Sequence, residues 1–243
     1  MKRLITLFLF AIVSAKALAV VDIDLNGQHY RYLNPVRLSL ILQVNAKNGD
    51  WYWPASAIYK IDQEYTESLR QDVLQSIDSL AVDLSVNDDK AIALNALRQQ
   101  VQQWTLAKRL PVIVNKNAAR VDPSLNPMFQ DGNYIMRLSG RPTAVWMSGM
   151  VSTPGSYEYR NQHTAADYAE GVKLRNYADP DFVYVISPRG EVSKLNVAYW
   201  GESYSQLMPG SQIFVPLFSW LLSPAVEELN EKVAALAVHR VLQ

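Results

Sequence analysis

Two apolar stripes at helical spacing break into a chain that otherwise reads as strands and turns. They restrict the fold to a mixed one. Leu69, Val73, Ile77, Leu80 and Leu84 recur every three or four residues, and after Asn87-Asp88-Asp89 the pattern resumes at Leu94, Leu97, Val101 and Trp104. The spacing predicts an αα-hairpin over about residues 63–109. Asp88 and Asp89 would sit at the favourable, positive end of the second helix. Each helix would run ~20 residues, or roughly 30 Å. Such a hairpin must bury its stripe against itself and the body of the protein, so it is expected to be an insertion.

The sequence before it reads as strand, hairpin and helix. Val21, Ile23 and Leu25 alternate with Asp22 and Asp24, the pattern of a half-buried strand. Asn26-Gly27 is a strong hairpin signal because both residues tolerate positive φ. Tyr30 and Tyr32 continue the return strand, and Asn34-Pro35 reads as the start of a short helix through Leu40, Ile41 and Val44. This is a β-grasp-like beginning. Beyond the helical stripes, strands are expected at Pro111–Val114 and Asn133–Leu138, with an irregular, proline-punctuated stretch at Arg120–Pro127 between them.

A similar order then repeats. Val145, Met147, Gly149 and Val151 alternate with Trp146, Ser148 and Met150, and Pro154-Gly155 makes a turn. Thr164 and Asp167 fit a capping box for a short helix ending near Gly171. Phe182–Ile186, a Pro188-Arg189-Gly190 turn, Glu191–Val197 and Ile213–Leu217 complete a second strand set. The last segment is an amphipathic helix with Ser223 and Pro224 at its start and His239 and Arg240 at its negative end. Its stripe of Val226, Leu229, Val233, Leu236 and Val241 either docks on the second strand set or serves as a peripheral membrane or partner helix.

The N-terminus reads as an export signal. Lys2 and Arg3 precede an apolar run from Leu4 to Val13, and Ala17-Leu18-Ala19 supplies a small–x–small cleavage pattern. A run of ~10 residues is too short for a bilayer span, which needs roughly 20. The segment 1–19 holds three basic residues and no acid, so removing it takes the net charge from zero to about −3. That balance does not suit a nucleic-acid binder, which carries a basic patch. The chain has no cysteine, which rules out disulfides, thiolate metal sites and attachment of a lipid to a cleavage-site cysteine.

No catalytic constellation stands out. His29, His163 and His239 are isolated, so neither a metal nor another cofactor is expected. Gly201–Ser205 lacks the closing glycine of a nucleophile elbow. Asp179 and Asp181 bracket Pro180 as turn acids rather than as the pair that glycan hydrolysis needs. The aromatics say more. Trp51-Tyr52-Trp53 and Tyr199-Trp200 cannot all face one core, so these rings either stack on a sugar or partner, or plug two different cores. Arg120, among Val121, Pro123, Leu125 and Pro127, either holds ligand oxygens through its rigid fork or ties loop carbonyls together.

Some of these residues carry a family resemblance. Trp146–Tyr157, with Gly149, Val151 and Pro154-Gly155, resembles the opening of the soluble ligand-binding β-grasp (SLBB) module of bacterial polysaccharide exporters. Leu207-Met208-Pro209-Gly210-Ser211-Gln212-Ile213-Phe214-Val215 resembles that module's last turn and strand. Arg120–Pro127 and Ala198-Tyr199-Trp200 narrow the match to the GfcC/YjbG-like capsule-biosynthesis family. The resemblance implies an α+β fold: two tandem β-grasp (ubiquitin-like) domains, an inserted α-helical hairpin and a C-terminal amphipathic helix. The expected divisions are a signal peptide at 1–19, a first domain at 20–140, a second at 141–218 and the terminal helix at 219–243. The implied role is that of a periplasmic, non-enzymatic accessory protein in capsule or exopolysaccharide export. Its partner would be the polysaccharide or the outer-membrane export machinery; a glycan-modifying enzyme and a pure assembly protein are the alternatives. The residues singled out for a ligand are Arg120, Asp122, Asn126, Tyr199, Trp200, Trp51 and Trp53, and for an interaction helix Val226, Leu229, Val233 and Leu236.

Overall fold

A computed structural model describes residues 20–44, 51–198, 205–219 and 223–242. The expected signal segment and the Tyr199-Trp200 pair lie outside these residues. The described chain is α+β, with two five-stranded sheets, a two-stranded ladder and six α-helices.

The first sheet is built from β1 (Val21–Leu25), β2 (Gln28–Tyr32), β4 (Ala57–Lys60), β5 (Lys108–Arg109) and β7 (Gly132–Arg137), in the order β2-β1-β7-β4-β5. β1 runs parallel to β7 and antiparallel to β2. The β1–β2 turn uses Asn26 and Gly27 at φ 49° and 86°, as the Asn-Gly signal requires. Val21, Ile23 and Leu25 are buried against Leu38, Ile41 and Leu42 of helix α1 (Leu38–Val44). That helix begins later than Asn34-Pro35 suggests. Val36–Arg37 is drawn off first as β3, to pair with β6 (Met128–Phe129).

The second sheet comprises β8 (Ala144–Gly149), β9 (Gly155–Glu158), β10 (Phe182–Ile186), β11 (Val192–Asn196) and β12 (Gln212–Val215). Its order is β9-β8-β12-β10-β11, again with the first and last strands parallel at the centre. The two sheets therefore share one plan. Helix α5 (Ala165–Glu170) is opened by the Thr164–Asp167 capping box and stopped at Gly171.

The hairpin is α2 (Gln63–Ala81) and α3 (Asp89–Gln103), with Asp88 accepting a hydrogen bond from Lys90 N–H as its cap. It is spliced between β4 and β5, which pair with each other, so its two ends leave and re-enter the first sheet side by side. Its apolar stripe nevertheless packs on the second half of the molecule. Val73, Ile77, Leu94, Leu97 and Val101 share one core with Phe214 of β12 and with Leu229, Val233 and Leu236 of helix α6 (Pro224–Ala237). Gln100 ties the hairpin to the sheet by bonding both the N–H and the C=O of Gly149, each at 2.9 Å. Arg70 of α2 donates to the free carbonyls of Gln102 and Trp104 at the end of α3.

Of the two readings of the α6 stripe, the structure has it docked on the body of the protein. Val226, Leu229, Val233 and Leu236 are at most 5% exposed, because the second sheet and the hairpin close over them. Among the described residues no helix is long and apolar enough to cross a membrane. Asn230, also buried, bonds both the N–H and the C=O of Leu217, while Lys232 bridges to Asp72 of α2. Two smaller expectations also shift. Pro224 opens α6, but the Ser223 side chain makes no cap bond. Pro111–Val114 is irregular, and the strand lies earlier, at Lys108–Arg109.

Truncating Leu229 to Ala should remove about 2–5 kcal/mol of stability in urea unfolding. A loss under about 1 kcal/mol would mean that the stripe is peripheral.

Candidate functional site

Strand alternation gives each sheet two faces. On the first sheet, Val21, Ile23 and Leu25 point to α1, which turns Asp22, Asp24, Ala57, Tyr59, Ile135 and Arg137 to the opposite face. On the second, Gln212 and Phe214 face α6, since Gln212 Nε2 donates to Ala237 C=O in that helix at 2.9 Å. A cleft of about 250 Å³ lies where these two faces meet. Tyr59, Arg109 and Arg137 wall it from the first sheet, and Trp146 and Gln212 from the second. Thr143 of the connecting segment, Pro188 of the β10–β11 turn, Gly210 and Arg240 complete it.

The C-terminal segment threads between the sheets. After α6 ends at Ala237, His239 and Arg240 follow at its negative end, their N–H groups donating to the Leu236 and Ala237 carbonyls at 3.0 and 3.2 Å. Leu106 and Arg240 form an antiparallel bridge, and Val241 is buried with Ala57, Tyr59 and Ala107. Tyr59 links the parts: its hydroxyl accepts from Arg109 Nη1 and donates to the Arg240 C=O, both at 3.2 Å. Burial pushes the Tyr59 phenol above its ordinary pKa, against the pull of Arg109.

The three guanidiniums differ in their partners. Arg137 is paired with Asp24 at 2.5 Å. Burial alone would raise the Asp24 carboxyl, but hydrogen bonds from Arg137 and Gly27 hold it below its usual value. Arg109 bonds neutral acceptors, the Tyr59 hydroxyl and the Pro188 C=O. Arg240 donates to Gln212 Oε1 at 3.0 Å and lies 4.4 Å from the Trp104 ring centre. Among the described residues neither Arg109 nor Arg240 forms an ion pair, and burial lowers the Arg240 pKa to about 10. Among the described residues no carboxylate or imidazole side chain lines the cleft. It can hold oxygen acceptors against cations and an indole.

The described residues among those singled out from sequence fall elsewhere. Arg120 sits in the last turn of a short helix α4 (Lys116–Val121), not in irregular chain. It is exposed, and its side chain makes no hydrogen bond or ion pair among the described residues, so it ties no loop carbonyls. Asp122 is occupied as the cap of the next turn, accepting from Ser124 N–H at 2.8 Å. Asn126 is occupied likewise, accepting from Ser39 N–H and donating to Ser39 Oγ. Trp51 packs on the first core and donates to the Val114 C=O at 2.9 Å. Trp53 lies under Arg189 from the second half, at 5.1 Å. The two indoles thus fill separate places, Trp51 on the first core and Trp53 against a guanidinium. Arg109, Arg137 and Arg240 were missed because they are far apart in sequence and carry no motif. Gly210 and Gln212 were within the stretch that carries the family resemblance.

His239 makes the region sensitive to pH. Its Nδ1 accepts from Arg109 N–H at 3.0 Å, and burial, with the Lys108 and Arg109 charges, depresses its pKa. The unfolded chain takes up a proton near pH 6.5 while the folded one resists it. The His239 contribution to stability is therefore complete above about pH 6.5 and is lost as pH falls toward the depressed native value. Urea midpoints at about pH 7.5 and about pH 5.5 should differ less in His239→Asn than in the natural chain. Gly190, at φ +90°, leaves room for Arg109, whose Cδ would lie 2.9 Å from an added Cβ. Gly190→Ala should cost about 1–3 kcal/mol in the same assay.

Comparison with known proteins places this architecture in a family. Residues 17–141 match the family described as "Capsule biosynthesis GfcC, N-terminal", and residues 153–242 match "Capsule biosynthesis GfcC C-terminal". The uncharacterized protein YjbG of Escherichia coli (strain K12) is 30% identical over 194 residues, which cover 79% of this chain and 78% of YjbG. This chain belongs to the capsule-biosynthesis GfcC family.

Proposed function

We propose that this protein is an exported, non-enzymatic accessory factor of capsule or exopolysaccharide assembly and export, which holds glycan in the periplasm. The observation that carries this reading is the inter-sheet cleft, lined by three guanidiniums and an indole and, among the described residues, by no carboxylate side chain. Glycoside hydrolysis needs two acids flanking one bond, so the cleft suits holding a polymer better than cleaving it. Family membership supports the link to capsule. The shared strand order, with a parallel central pair in each sheet, supports reading the halves as two β-grasp units in tandem.

A local contact supports export. Val20 N–H donates to Asp131 Oδ1 at 2.9 Å, and the first strand starts one residue later. Cleavage after Ala19 would turn that N–H into an α-ammonium facing a carboxylate. The mass of the protein recovered from the periplasmic fraction should correspond to a chain starting at Val20.

In cells, an in-frame deletion should lower surface polysaccharide, and complementation should restore it. Surface and cell-retained polymer that both stay normal would contradict the proposed role.

A further inference from the structure

The inter-sheet cleft holds two arginines that the described residues leave without a counter-charge. Arg109 and Arg240 are partly buried, and each spends its bonds on neutral acceptors: Tyr59 and Pro188 for Arg109, Gln212 for Arg240. A guanidinium offers five N–H donors, so both keep donors in reserve. Burying a cation without a counter-charge is expensive, and arginines serving only to join two sheets would be expected to meet carboxylates. Arg137 does so, through Asp24. The cleft volume, about 250 Å³, lies just below the roughly 300–1,000 Å³ of drug-sized pockets and suits a single sugar ring. Trp146 lends it an indole, the kind of flat apolar surface that a sugar ring packs against.

We propose that this cleft binds an acidic sugar residue of the polysaccharide, its carboxylate held by Arg109 and Arg240 and its ring lying against Trp146. The fork of an arginine matches a planar carboxylate through two parallel N–H···O bonds. A phosphate on a sugar is the other source of an anion that this donor set could hold. This inference rests on the glycan-holding role proposed above and adds the class of sugar.

Titration calorimetry on the chain starting at Val20, at low salt, tests it. The probes are trigalacturonate, the neutral trisaccharide galactotriose, and inorganic phosphate as competitor. Trigalacturonate should bind at least about tenfold more tightly than galactotriose, and Arg109→Gln should remove at least about tenfold of that affinity. Because Arg109 also braces the sheets, a second variant keeps the packing intact. Thr143 is exposed at the rim, and Thr143→Glu places a competing carboxylate there. It should weaken trigalacturonate by at least about tenfold with an unchanged thermal midpoint. Arg31→Gln, at an exposed arginine paired with Asp22 outside the cleft, should change nothing. Equal binding of the neutral and acidic probes, no binding of either, or full affinity in Thr143→Glu would overturn the assignment. Displacement by equimolar phosphate would overturn the carboxylate in favour of phosphate. Normal polymer in the deletion strain with binding intact would sink the cellular role alone; lost surface polymer without binding would sink this inference alone.

Discussion

The structure depends most on the burial of one apolar stripe, the face of α6 formed by Val226, Leu229, Val233 and Leu236. Each fully buried side chain of this kind contributes about 1.5–3 kcal/mol. The second sheet supplies one wall for the stripe and the α2–α3 hairpin the other. The hairpin belongs to the first sheet by sequence and to the second half by packing. Burying α6 therefore couples the two halves. It also sets where the chain goes next. Once α6 is fixed, His239, Arg240 and Val241 must pass between the sheets, and the cleft forms around them.

The cleft follows from that path. Its cations come from β5, β7 and the segment after α6, and no two of them are near in sequence. Tyr59 joins Arg109 to the Arg240 backbone, Gln212 joins Arg240 to α6, and the turn at Gly190 makes room for Arg109. The network that braces the halves is thus the one that presents positive charge between them. Under the proposed role, that arrangement gives the pairing of the two sheets a use: neither sheet alone has the donor set.

Local chemistry was legible in the sequence, and long-range chemistry was not. The Asn26-Gly27 turn, the Thr164–Asp167 box and the placing of Asp88 and Asp89 at the start of α3 each depend on residues a few positions apart, and the structure holds all three. The helical stripes gave the hairpin but not the surface it covers, since a stripe states only that some surface must cover it. The β4 partner at Lys108–Arg109 is two residues long and shows no alternation. Arg120 drew attention through its proline-rich surroundings and the family resemblance, yet it sits exposed in the last turn of α4. The cations that share a cleft are an ordinary strand arginine, another at the end of a central strand, and one past a helix. Only the fold brings them together.

The most direct test of this account is native-state hydrogen exchange resolved along the chain. If α6 couples the halves, amides in β1 and β7 of the first sheet should open together with those in α3, α6 and β12, with one free energy close to that of global unfolding. Fast, independent exchange of α6, with α3 and β12 still protected, would contradict the claim that its stripe holds the two halves and the cleft in place.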